Sequence, residues 1–196
     1  DGITSDGRVT VTGLEDGATW EYSTNGGTSW SAGSGTSFTL DTGVYSAGKV
    51  QVRQTDVAGN SSGAGSNASA ITIDQAASAP GLRLTVDTGS LSSDGITSDG
   101  RVTVTGLEDG ATWEYSTDGG TSWSAGSGTS FTLDTGVYSS GKVQVRQTDV
   151  AGNSSSAGSN ASEITIDQAA SAPGLRLTVD TGSLSSDGIT SDGRVT

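Results

Sequence analysis

The chain has 196 residues, with 9 lysines and arginines against 22 aspartates and glutamates, a formal net charge of −13, and neither histidine nor cysteine. The negative charge argues against a nucleic-acid partner and against an anionic membrane surface, since both require basic residues. Without histidine and cysteine the usual general base, thiol nucleophile and transition-metal ligands are missing, so we expect no enzyme activity.

An internal repeat organises the whole chain. The ten residues that begin at Asp1 recur from Asp94 and again from Asp187, 93 positions apart each time. The first two copies differ only at the pairs Asn25/Asp118, Ala47/Ser140, Gly63/Ser156 and Ala70/Glu163. Small, proline-bearing linkers at 76–80 and 169–173 separate the copies. The sequence therefore predicts a copy at 1–79 that lacks its first strand, a complete copy at 80–172, and the first strand and following loop of a further copy at 173–196.

Short stretches with period-two alternation predict the strands of the complete copy. In chain order the predicted strands are A at 82–87, B at 101–107, C at 111–117, C′ or D at 121–125, E at 129–134, F at 142–149 and G at 162–167. No stretch shows a helical period. Seven short strands in about 100 residues are typical of an immunoglobulin-like Greek-key β-sandwich. We therefore predict an all-β protein made of such sandwiches in tandem, with Trp113 in the core.

A sandwich of this size lies near the lower limit for a domain that folds alone, and such domains often depend on disulfides or a metal ion. Disulfides are excluded here, so the acidic composition favours a hard cation. No apolar run is long enough to cross a bilayer, and we expect no direct membrane insertion.

Acidic residues collect in the loops at both ends of the predicted sandwich. The A–B loop lies at the C-terminal end of this fold and the B–C and F–G loops lie at the N-terminal end, so consecutive copies bring acids from both sides to the linker. Calcium prefers six to eight oxygen ligands from carboxylates, amides and backbone carbonyls. Aspartate and glycine are also good turn residues, which is the competing interpretation.

We predict one calcium (Ca²⁺) site within the A–B loop, at Asp87, Asp94 and Asp99. A second site bridges adjacent copies, with Asp74 or Asp167 from one copy and Asp109, Asp149 or Asn153 from the next, and the sequence leaves the choice among these ligands open. The equivalent candidate ligands in the other copies are Asp1, Asp6, Asp16, Asp56, Asn60, Asp180, Asp187 and Asp192.

Two further features invite a functional interpretation. Residues 116–123 fit the Asp-box pattern S-x-D-x-G-x-x-W, which forms a structural β-hairpin in the propellers where it is known, and Asn25 replaces the aspartate in the first copy. We predict a structural hairpin here as well. Trp20 and Trp113 are predicted core residues, whereas Trp30 and Trp123 remain candidates for stacking on a sugar.

Three segments in a fixed order, Ser93–Asp99, Gln147–Asn153 and Ile164–Asp167 before a proline-bearing linker, resemble bacterial Ig-like tandem repeats. Such repeats form the extender regions of giant surface adhesins, many of them RTX proteins that bind biofilm surfaces, host cells or ice. The resemblance implies calcium bound in and between domains. It also implies an extracellular location, on the surface of a Gram-negative bacterium after type I secretion.

The near-identity of the copies favours a structural extender, because length grows with copy number while each copy plays the same mechanical role. The partners of each copy are then the adjacent identical copies of the chain, stacked head to tail. The alternative is a multivalent module that binds carbohydrate weakly through many copies. Because residues 1–79 lack a first strand and residues 173–196 carry a spare one, we also consider head-to-tail strand complementation between chains.

Overall fold

Strands and turns account for all the regular structure in residues 2–179, 188, 190 and 191, which a computed structural model of the chain describes. No helix occurs among these residues, which confirms the prediction of an all-β protein. The strands of the first copy are β1 (Ile3–Thr4), β2 (Arg8–Thr10), β3 (Thr19–Ser23), β4 (Ser31–Ala32), β5 (Ser37–Thr39), β6 (Gly43–Tyr45), β7 (Gln51–Thr55), β8 (Gly65–Ser66) and β9 (Ile71–Ile73).

The complete copy repeats this order and adds one strand in front of it. Its strands are β10 (Gly81–Leu84), β11 (Ile96–Thr97), β12 (Arg101–Thr105), β13 (Thr112–Ser116), β14 (Ser124–Ala125), β15 (Ser130–Thr132), β16 (Gly136–Tyr138), β17 (Gln144–Thr148), β18 (Gly158–Ser159) and β19 (Ile164–Ile166). Strand β10 has no counterpart among the described residues of the first copy, since that copy begins in the loop that follows it.

Three small sheets build each copy into a β-sandwich-like arrangement. In the complete copy their strand orders are β10-β12-β15, β14-β13-β17-β18 and β11-β19-β16, and all pairs are antiparallel except β11 with β19. The first copy has the equivalent sheets β2-β5, β4-β3-β7-β8 and β1-β9-β6. Strand β2 therefore pairs with β5 on one side, whereas its equivalent β12 is paired on both sides.

The complete copy has ten strands where the alternation predicts seven. The loop predicted between strands A and B contains β11, which pairs in parallel with β19, and β16 follows predicted strand E. Predicted strand G corresponds to β19, which belongs to the third sheet. The edge strand that pairs with β17 in the second sheet is β18. Strands β11 and β18 have only two residues each, which is too short to show a period-two pattern, and this explains why the sequence does not reveal them.

The core of the complete copy lies between the sheets. Trp113 is buried there, as predicted, and its ring lies 6.2 Å from those of Tyr115 and Phe131, which stack on each other at 4.3 Å. The indole nitrogen donates to the carbonyl of Gly128. Buried aliphatic residues complete the cluster: Val102, Val104, Leu133, Val143, Val145, Ile164 and Ile166. No helix capable of crossing a membrane occurs within the described part of the chain.

Candidate functional site

The linker between the two copies is held by hydrogen bonds from the complete copy. The side-chain nitrogen of Gln147 donates to the carbonyl of Ser78 at 2.7 Å and to that of Gly106 at 3.1 Å, and its oxygen accepts from the backbone N–H of Glu108 at 2.8 Å. The Glu108 carboxylate accepts from the N–H of Ser78 at 2.8 Å. Ser78 is thus held through both its N–H and its carbonyl, and Gln147 is only 1% exposed.

A second contact across the junction, to the end of the first copy, comes from the turn between β17 and β18. The Asn153 side-chain nitrogen donates to the carbonyl of Asp74, in the first copy, and to Oδ2 of Asp149, both at 2.7 Å. Oδ1 of Asp149 accepts from the N–H of Asn153. These hydrogen bonds favour the ionised form and lower the pKa of Asp149, with the Asn153 side chain as the largest cause. The structure thereby brings together three of the ligands predicted to bridge the copies.

The first copy provides an internal control for this junction, because its sequence is almost the same and no linker precedes it among the described residues. Gln54 makes the two local hydrogen bonds, to Glu15 and Gly13, but is half-exposed where Gln147 is buried. Val57 is 81% exposed, whereas its equivalent Val150 is 47% exposed. The difference in burial therefore arises from the neighbouring copy and its linker.

The three aspartates predicted to bind calcium in the A–B loop each accept a backbone hydrogen bond. Oδ1 of Asp94 accepts from Ile96 N–H and Oδ1 of Asp99 from Arg101 N–H, both at 3.0 Å. Oδ2 of Asp87 accepts from Gly95 N–H at 3.0 Å. Asp94 and Asp99 thus stabilise local turns, as the competing interpretation expects of aspartate in loops.

Oδ1 of Asp87 is different, because it is buried and has no hydrogen-bond partner. Asp87 lines a cavity of about 270 Å³ together with Glu163, Ser93 and Asn160, and Ala70 replaces Glu163 in the first copy. A buried carboxylate oxygen without a partner is costly, and the two carboxylates on this lining are ligands that suit a hard cation. The lining also contains the cationic Arg83 and the apolar Leu82, Leu84 and Ile164. Within the described residues, however, no three acidic, histidine or cysteine side chains form a metal-binding group.

The remaining predicted ligands are spread over the molecule. Asp6, Asp74 and Asp167 each accept from the backbone N–H two residues ahead. Asp56 and Asn60 form the same turn as Asp149 and Asn153. Asp16 and Asp109 are exposed. The positions of the other four predicted ligands lie outside the described residues: Asp1, Asp180, Asp187 and Asp192.

The Asp-box segment forms the expected hairpin between β13 and β14. Asp118 accepts from Ser116 and Thr121, and twice from Ser122, and these bonds lower its pKa well below the ordinary value, with the Ser122 hydroxyl as the largest cause. All these partners lie within the hairpin itself, so the motif stabilises a turn.

Trp123 at the end of this hairpin is less open to a sugar than its sequence position suggests. The Arg146 guanidinium lies 4.1 Å from the ring centroid and also binds Glu114 at 2.8 Å. The indole N–H donates to the carbonyl of Gly120. One face of the ring and its only donor are therefore already used, and Trp30 has the same arrangement with Arg53.

Gln147 contributes to the junction although it is not among the predicted ligands. Val143, Val145 and Gln147 alternate along the chain and all three are buried. A polar side chain at an inward-facing strand position needs a buried hydrogen-bond partner. The alternation that identifies the two valines as core residues was therefore also the signal for Gln147. No family model matches the chain, and no curated protein matches its sequence.

Proposed function

We propose that the chain is part of a structural stalk, in which near-identical copies stack head to tail through stiff junctions. The observation that carries the proposal is the clamp on Ser78, whose N–H and carbonyl are bound by Glu108 and Gln147 of the following copy. Domains joined by a short linker move relative to each other by default. A linker held at both backbone groups, one of them by the buried side chain of Gln147, loses that freedom.

Repetition of this contact at every junction would make the whole array stiff. Glu15 and Gln54 occupy the same positions in the first copy, so each copy carries the groups that bind the linker preceding it. In a tandem array each copy contacts only its neighbours, and every junction is the same. Length then increases with copy number while stiffness is set by one repeated contact.

Calcium is the second element of the proposal. The support is Asp87, whose buried Oδ1 lacks a partner and whose cavity also contains Glu163. A cation bound there would tie the A–B loop to the segment before β19, and these two residues supply the carboxylates. At the junction, Asp149 is held ionised beside the carbonyl of Asp74, and both groups are oxygen donors of the kind calcium prefers.

The wider setting rests on the resemblance of three segments to bacterial Ig-like extender repeats. On that basis we propose an Ig-like fold for each copy and a place in the stalk of an adhesin on the bacterial surface. The exposed surface supports a spacer role over a binding role, because the partly exposed Trp123 is already engaged by Arg146.

Paired spin labels test the stiffness of the junction directly. The chain has no cysteine, so Val44→Cys and Val137→Cys introduce one label at equivalent, exposed positions of the two copies. Diluting the labelled chain in unlabelled chain removes distances between molecules. We expect a narrow distance distribution, and a broad one after Gln147→Ala. The matched control Gln54→Ala lies away from the junction and should leave the distribution narrow.

The same labels separate the two parts of the proposal. A distribution that is equally broad with and without Gln147→Ala would contradict the stiff junction. A distribution and a melting temperature that do not change between excess calcium and excess chelator would contradict the calcium part and leave the hydrogen-bonded clamp standing.

A further inference from the structure

One asparagine differs chemically from all the others in the chain. Asn25 is the only asparagine that is followed by glycine. The backbone nitrogen of the next residue can attack the side-chain carbonyl carbon of an asparagine, and glycine favours this attack because it has no Cβ and adopts many backbone conformations. Asn25 is therefore the asparagine best suited to lose its amide. The other asparagines precede serine or alanine: Asn60, Asn67, Asn153 and Asn160.

The folded hairpin between β3 and β4 holds both reacting groups of this pair. Asn25 is exposed, and its Oδ1 accepts from the Ser23 hydroxyl at 2.9 Å and from Ser29 N–H at 3.0 Å. Its Nδ2 donates to the Ser29 hydroxyl at 2.8 Å. The attacking group, Gly26 N–H, donates to the carbonyl of Lys49 at 2.9 Å. These hydrogen bonds must open before the Gly26 nitrogen can bond to the side-chain carbon, so the fold slows the reaction.

The complete copy shows that the same hairpin accepts an aspartate. Asp118 is the equivalent of Asn25, and its Oδ1 accepts from the Ser116 hydroxyl at 2.8 Å and from Ser122 N–H at 2.9 Å. Its Oδ2 accepts from the Ser122 hydroxyl at 2.6 Å, whereas Nδ2 of Asn25 donates to the hydroxyl of the equivalent Ser29. Exchange of the amide for a carboxylate therefore keeps every partner and reverses the direction of one hydrogen bond.

The second product that such a reaction can form does not fit this hairpin. In an isoaspartate the chain continues through the former side chain and gains one backbone CH₂. That extra atom would displace the N–H of residue 26 from the carbonyl of Lys49 and move the carboxylate away from Ser29. Beside the aspartate of the complete copy, Gly119 N–H still donates to the carbonyl of Lys142 at 2.9 Å. The folded hairpin therefore favours the aspartyl product.

We propose that Asn25 is a site of spontaneous deamidation, whose product is the aspartate form of the hairpin that the complete copy already has. The Gly26 nitrogen bonds to Cγ of Asn25 and gives its proton to solvent, and the amide nitrogen leaves as ammonia, which closes a five-membered imide. Water then adds at Cγ and breaks the bond to the Gly26 nitrogen, which regains a proton. The net reaction consumes one water, releases one ammonia and adds one negative charge. It also removes the Asn25/Asp118 difference between the two copies.

Storage of the full chain in mildly alkaline buffer, once folded and once unfolded in urea, tests the proposal. Ion exchange follows the added negative charge, and tryptic digestion isolates residues 9–49, in which Asn25 is the only asparagine. We expect the folded chain to react there about tenfold to a hundredfold more slowly than the unfolded chain, because the hairpin must first open locally. An endoproteinase that cleaves before aspartate but not before isoaspartate should cut most of the product of the folded chain at residue 25, and a smaller share of the product formed in urea.

Two variants provide the controls. Asp118→Asn places an asparagine before Gly119 in the hairpin of the complete copy and should add a second reactive site within residues 102–142. Asn25→Gln lengthens the side chain by one CH₂ and should stop the gain of charge.

Four results would overturn the proposal. They are reaction of the folded chain at the rate seen in urea, reaction mainly at another asparagine, a folded-state product that is mainly isoaspartate, and no reaction of the folded chain over several hundred half-lives of the unfolded chain.

Discussion

Replacement of Gln147 by alanine is the sharpest probe of the junction, because the chain contains a matched control. Gln147 makes three hydrogen bonds, and one of them reaches the linker at Ser78. Gln54 makes the two local hydrogen bonds alone and is half-exposed. The two substitutions are chemically the same and differ only in what surrounds them.

The size of the expected effect follows from burial. A net hydrogen bond contributes about 0.5–1.5 kcal/mol, and a buried partner left unsatisfied adds to the cost of removing it. Gln147→Ala should therefore cost roughly 2–4 kcal/mol, whereas water can replace the exposed partners of Gln54, so that Gln54→Ala should cost about 1 kcal/mol. For domains of this size each kcal/mol lowers the melting temperature by about 4–8 °C.

Scanning calorimetry of the full chain can separate the copies. In a chain of these 196 residues the first copy has no counterpart of β10 among the described residues and should melt first, which gives a lower and an upper transition. Gln147→Ala should lower the upper transition by on the order of 10–25 °C, and Gln54→Ala should lower the lower transition by about 5 °C. Equal shifts in the two variants would refute the reasoning, because they would show that the bond to Ser78 contributes nothing.

Three further predictions use other residues. Asp118 has a lowered folded-state pKa, so its contribution is present above about pH 4 and is lost as pH falls. Asp118→Asn should therefore reduce the fall in the melting temperature of the upper transition between about pH 5 and 2. Asn25→Asp should increase the fall in the melting temperature of the lower transition over the same range. Gly126→Ala drives a methyl group into the Trp113 ring. This overpacking should lower the free energy of unfolding of the complete copy by about 1–3 kcal/mol, which calorimetry detects as a lower temperature of the upper transition. Asp87→Asn should remove any rise of the upper transition on adding calcium, and an undiminished rise would place the cation elsewhere.

Period-two alternation predicts the longer strands because their inward residues build the core. The pairing of Trp113 and Tyr115 on β13 with Val145 and Gln147 on β17 follows that pattern. The shortest strands escape it. Ile96–Thr97 lies in a loop rich in aspartate, and its pairing with β19 is fixed by tertiary structure instead of by local sequence.

The candidate site is likewise predicted from the sequence only in part. The sequence indicates that acids collect at the two ends of a copy, and the structure places Asp149 and Asn153 beside Asp74. The sequence does not show which aspartates already accept a hydrogen bond within their own turn, because that depends on the backbone geometry two residues ahead. Asp94 and Asp99 are in that position, while Asp87 retains an oxygen without a partner.

The two copies together show that the burial of equivalent side chains depends on what precedes them in the chain. They are nearly identical in sequence, yet Gln147 and Val145 are buried while Gln54 and Val52 are half-exposed. The difference comes from β10, the first strand of the complete copy, and from the linker that precedes it. Only the linker contact is missing from an isolated copy, and through it each copy supports the next, as in other linear repeat proteins.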